Sequence, residues 1–173
     1  MNKSTDYRKK IITAVDRFYF DSLEEFREAE AKIANDSRFR RLFKRKDYKG
    51  NIELLRRCKK NANAVKFPTG AIPADDDESR DIAHQCQESI RRFNQLCDAH
   101  IRMQSALQDK ADGKDDMPYK EYKQIYYHTQ ECNARMNEAI KELDILYADY
   151  AESESAEGQG YMTYDMLMKE EDS

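Results

Sequence analysis

Between residues 80 and 110, Ile82, Cys86, Ser89, Phe93, Leu96, His100, Met103 and Leu107 follow one another in alternating steps of four and three. That heptad spacing lines all of them along one face of a helix about thirty residues long. The same rhythm returns over four heptads in Tyr122, Tyr126, Thr129, Asn133, Met136, Ile140, Leu143, Tyr147 and Tyr150. Ile125, Cys132, Ala139 and Leu146 widen the second stripe at seven-residue intervals. Between the stripes, Gln108 to Met117 carries Gly113 and a run of charges, and Pro118 follows where a first helical residue tolerates losing its amide. Two long amphipathic helices with a short polar connection predict an antiparallel hairpin of roughly 45–50 Å over residues 80–151. With the turn centred near residue 114, facing positions sum to about 228.

Upstream, residues 1–66 predict a bundle of three or four shorter helices. Ile11, Ile12, Val15, Phe18 and Tyr19 recur at helical spacing before Asp21-Ser22 interrupts them. Ser22-Leu-Glu-Glu25 has the form of a capping box, so a second helix is expected to start there, with Leu23, Phe26, Ala29 and Ile33 on its apolar face. Asn35-Asp36-Ser37 is expected to open a third helix carrying Phe39, Leu42 and Phe43, which Lys49-Gly50-Asn51 closes. A fourth then carries Ile52, Leu54, Leu55 and Cys58. Residues 67–79 hold two of the three prolines and an acidic run and are expected to be a linker between two domains. Residues 152–173 are expected to be an acidic tail, with Tyr161, Tyr164 and Leu167 in a short docking segment.

Composition supports an all-α chain. Five Gly and three Pro in 173 residues are too few for the turns of a many-stranded sheet, and 37% charged residues leave a thin core. No apolar run spans a bilayer and Met1-Asn2-Lys3-Ser4 opens no signal sequence, so a cytoplasmic protein without membrane contact is expected. Cys58, Cys86, Cys97 and Cys132 form no CxxC pair and are expected to be reduced.

Charge divides the chain more sharply than its net −4 suggests. Residues 1–66 contain 19 Lys and Arg against 10 Asp and Glu, leaving 11 basic and 24 acidic side chains for the remainder. The basic half concentrates in Arg38, Arg40, Arg41, Lys44, Arg45 and Lys46, which Arg56, Arg57, Lys59 and Lys60 extend on the next helix. Such a surface binds phosphates by releasing counterions; the alternative is a solvated face neutralised within the chain.

Other chemistry is sparser. In the hairpin register, Cys97 and His100 fall level with His128 and Cys132, two sulfur and two nitrogen donors of the kind zinc accepts; core packing explains the same residues, and no cofactor or metal is assigned. P-loop, dinucleotide-binding, HExxH, GxSxG and calcium-loop patterns are absent from the sequence, which argues against an enzyme. Eight of the eleven tyrosines lie between Tyr119 and Tyr164. Of these, Tyr119, Tyr127, Tyr161 and Tyr164 fall off the stripe and suit a protein interface.

The sequence therefore predicts a non-enzymatic binding protein. Its basic N-terminal helices would contact nucleic acid and its acidic hairpin would associate with a protein partner or a second copy. The alternative is an acidic helical inhibitor or regulator of a nucleic-acid-processing machine, acting partly as a phosphate mimic.

Overall fold

The computed structural model describes residues 3–38 and 46–154, and every regular element among them is helical. Helix α1 spans Lys3–Arg17 and α2 spans Glu24–Arg38, with no break between them, because Phe18–Leu23 continues the chain as a π turn. Helix α3 is Tyr48–Ala64, α4 is Asp77–Ala111 and α5 is Tyr119–Glu154, with a short 3-10 turn at Thr69–Ala71.

The π turn overturns the expected helix start at Ser22. Its wider winding sends the Glu24 amide to the Tyr19 carbonyl, five residues back, so the amides that a capping hydroxyl would serve are already taken. Ser22 is fully buried and caps nothing. Phe18, Tyr19, Leu23 and Phe26 all reach the core along this continuous helix, and Phe20 turns outward. Phe93 on α4 meets Phe18 edge-on at 5.8 Å and Phe26 at 5.3 Å, so both sides of the turn pack on one ring.

The start of α3 carries a second correction. Lys49, Gly50 and Asn51 belong to its first turn and close nothing. Asp47 is the N-cap: its carboxylate accepts the Gly50 amide at 3.0 Å, and a Cβ at Gly50 would overlap that carboxylate. Asn35-Asp36-Ser37 opens no new helix, since α2 continues through it to Arg38, and the positions of Phe39, Leu42 and Phe43 lie outside the described residues.

Helices α4 and α5 pack antiparallel. Ser79 Oγ meets Tyr150 Oη at 2.8 Å, Gln85 Nε2 donates to Glu142 at 3.1 Å, and Ser89 Oγ donates to the Ala139 carbonyl at 3.1 Å. The reversal follows a Schellman ending: Gly113, at φ 69°, and Lys114 donate back to Lys110 and Asp109. Ile82, Cys86, Ser89, Phe93 and Leu96 are buried on α4, and Thr129, Met136, Ile140, Leu143, Tyr147 and Tyr150 on α5. Two stripe positions on α5 are more open than the sequence predicts: Tyr126 is 42% exposed and Leu146 39%.

All five helices contribute to one buried cluster. Tyr19 donates to Asp144 at 2.6 Å in its interior, and Tyr147 donates to Asp16 at 2.8 Å, tying α1 and the π turn to α5. The segment read as a linker is fastened at its end by Asp76. Its side chain accepts from Tyr7 Oη at 2.6 Å, the Arg8 guanidinium at 3.1 and 3.2 Å, and the Ser79 amide and hydroxyl at 3.1 and 2.8 Å.

Candidate nucleic-acid interface

The basic residues nominated from sequence divide into three groups. Arg40, Arg41, Lys44 and Arg45, with the side chain of Arg38, lie outside the described residues. Lys46 holds its ammonium 5.9 Å from the centre of the Tyr48 ring. The four on α3 diverge: Arg57 pairs with Glu25 and Lys59 with Asp98 at 2.7 Å, while Arg56 and Lys60 are exposed and bonded to no carboxylate among the described residues.

Lys49 was not nominated, although its position seven residues before Arg56 on a helix was the signal that could have found it. It too is exposed and bonded to no carboxylate among the described residues. Lys49, Arg56 and Lys60 recur at i, i+7 and i+11, which stacks them on the outer face of α3 with Glu53 as the one acid in the row. That face is polar because the opposite one buries Ile52, Leu55, Cys58 and Ala62 against the core. Asp47 anchors the near end of the row. The Gly50 amide and the Lys32 ammonium, 3.3 Å away, hold its carboxyl below the ordinary carboxylate range.

The four proposed metal donors do not converge. His100 turns toward α2, with Nε2 3.6 Å from Glu30 and its ring edge-on to Phe26 at 5.5 Å. Cys97 is fully buried, whereas His128 is exposed and meets only Cys132, at 3.6 Å. Among the described residues no three His, Cys, Asp or Glu side chains stand close enough to share an ion. Burial pushes the Cys58 thiol up to about 12 and raises Cys86, Cys97 and Cys132 as well, so these sulfurs are core atoms held protonated.

Of the aromatic candidates, Tyr119 is 71% exposed and Tyr127 60%; Tyr161, Tyr164 and Leu167 lie outside the described residues. Tyr126 joins the exposed pair, and Ile145, at 74%, is the most exposed large apolar side chain of the helices. A cleft of about 360 Å³, walled in part by Tyr48, Lys110, Tyr119 and Tyr122, connects the α3 start with the α5 start. No helix of the described residues is long and apolar enough to cross a membrane. Comparison with protein-family models, curated proteins and solved structures returns no match.

Proposed function

We propose that the protein is a non-enzymatic nucleic-acid-binding adaptor, with phosphates engaged by the basic surface of the N-terminal half and a protein partner or second copy engaged by the hairpin. The observation that carries the first part is the cation row Lys49, Arg56 and Lys60, exposed on α3 and bonded to no carboxylate among the described residues. Cations already paired within a fold must break those pairs to bind phosphate, whereas these can displace the counterions condensed on a nucleic acid without that cost. The row begins three residues after Lys46, where the densest basic stretch of the sequence ends. For the second part the support is Ile145 and Leu146, adjacent apolar side chains turned to solvent on α5.

The test is a salt titration of binding to mixed-sequence DNA and RNA. Wild type is expected to bind at low salt with log Kd rising steeply against log salt. The triple variant Lys49→Glu, Arg56→Glu, Lys60→Glu is expected to lose most of that affinity with an unchanged circular dichroism spectrum. Equal binding by both proteins would remove α3 from the interface.

A further inference from the structure

The tyrosines at the start of α5 form a second exposed surface that the cation row on α3 does not use. Tyr119, Tyr126 and Tyr127 are 71%, 42% and 60% exposed, and Tyr122 stacks with Tyr126 at 6.5 Å between ring centres with planes 25° apart. Tyr126 and Tyr127 meet edge-to-face at 5.9 Å. From Tyr119 to Tyr127 the helix advances about 12 Å, the length of three to four nucleotides at ~3.4 Å per base.

We infer that this surface is a stacking platform for single-stranded nucleic acid, in which the tyrosine rings take bases and neighbouring lysines take the backbone. The inference rests on the nucleic-acid reading above and names the form of nucleic acid. Its first support is the chemistry interleaved with the rings. Lys120 and Lys123 alternate with them in the sequence, and Lys123 Nζ lies 5.3 Å from the Tyr119 ring centre. Aromatic rings alternating with lysines describe a single-strand track, whereas the centres of protein interfaces are depleted in lysine. Glu121, the one carboxylate on α5 before Glu131, is turned roughly 200° around the helix from Tyr119. It lines a groove with Lys120, Arg102 and His128.

The second support is continuity. Tyr48 and Tyr119 wall the same cleft, and Lys46 lies over the Tyr48 ring. The cleft thus joins the tyrosines to Tyr48 at the start of α3, which Lys46 and Lys49, the first cation of the α3 row, flank in the sequence. In the turn before α5, Asp112 is paired with Lys114 at 3.5 Å.

The experiment is fluorescence anisotropy of the full chain with labelled oligo-dT, oligo-U and a mixed-sequence DNA duplex. It compares wild type with Tyr119→Ala, Tyr126→Ala, Tyr127→Ala combined, and with the matching triple Phe variant. Base stacking contributes roughly 1–3 kcal/mol per base, so the Ala variant is expected to lose at least about tenfold affinity for the single strands. Duplex binding stays within about twofold, and the Phe variant, which keeps the rings, binds like wild type. Wild-type single-strand affinity in the Ala variant overturns the platform. If the α3 charge variant still abolishes duplex binding in that case, the nucleic-acid reading survives it. Failure of wild type to bind any of the three probes at low salt overturns both. Loss of self-association in the Ala variant, with single-strand affinity unchanged, assigns the rings to a protein contact instead.

Discussion

Replacing Asp76 by Asn tests the joint that fastens α4 to α1. Burial alone would raise the Asp76 carboxyl, but hydrogen bonds from Tyr7, Ser79 and Arg8 outweigh it and lower the pKa from 3.8 to about 2. A difference of that size corresponds to roughly 2 kcal/mol at 1.36 kcal/mol per unit, which exchange with solvent at a partly accessible surface reduces to on the order of 1–2 kcal/mol. Because the folded value lies below the unfolded one, the stabilisation is fully present above about pH 5 and is lost as pH falls from about 4 toward 2. Asn caps a helix about as well as Asp, so the substitution keeps the Ser79 amide served and removes chiefly the charge facing Tyr7 and Arg8. Urea unfolding followed by helical circular dichroism, at steps between pH 7 and pH 2.5, reads both effects. The variant is expected to be about 1–2 kcal/mol less stable at pH 7, with the difference shrinking below pH 4. Equal stability at pH 7, or a gap that persists unchanged at pH 2.5, would refute the reasoning.

Other consequences follow from the same contacts. Phe93→Ala removes the ring shared by Phe18 and Phe26 and is expected to lower stability by about 3–5 kcal/mol in the same assay. Tyr19→Phe deletes a buried donor to Asp144 and is expected to lower it by about 1–3 kcal/mol, with little change in volume. With all four cysteines buried and their thiols raised, a colorimetric thiol reagent is expected to react slowly with the native protein at pH 8 and to count four thiols promptly in guanidinium. Ile145→Glu leaves the fold intact because the side chain is 74% exposed, and by sedimentation it is expected to weaken any association through the hairpin.

Much of the helical layout is readable from spacing alone, because positions repeating every three or four residues have only one buried face to share. Ile82 to Leu96 and Thr129 to Tyr150 illustrate this: every nominated residue from Ile82 to Leu96 is buried, and from Thr129 on only Asn133 and Leu146 stay open to solvent. The same logic misleads at Ser22, where a local capping pattern competes with continued helix. The unbroken spacing of Tyr19, Leu23 and Phe26 was the overlooked signal, since steps of four and three carry one buried face straight past Ser22. At Gly50 the error is one of direction, glycine near a helix end being compatible with a start as well as a stop; Asp47 three residues earlier decides it.

Within the candidate site, charge density along the sequence locates the basic surface but does not reveal which cations are spent inside the fold. Arg57 and Lys59 have the same local sequence character as Arg56 and Lys60, yet their partners, Glu25 and Asp98, lie 32 and 39 residues away. The metal quartet fails for a related reason. Register along a hairpin levels residues along the axis but says nothing of rotation about it, and His100 turns to Glu30 while His128 turns to solvent.

The most direct test of the central claim is the salt dependence of nucleic-acid binding by wild type and by the Lys49, Arg56, Lys60 charge-reversal variant. A steep wild-type slope that flattens by roughly 2–3 in log–log units in the variant, about one per phosphate contact removed, is the predicted result. Binding that is salt-insensitive, or equal in the two proteins, would contradict it.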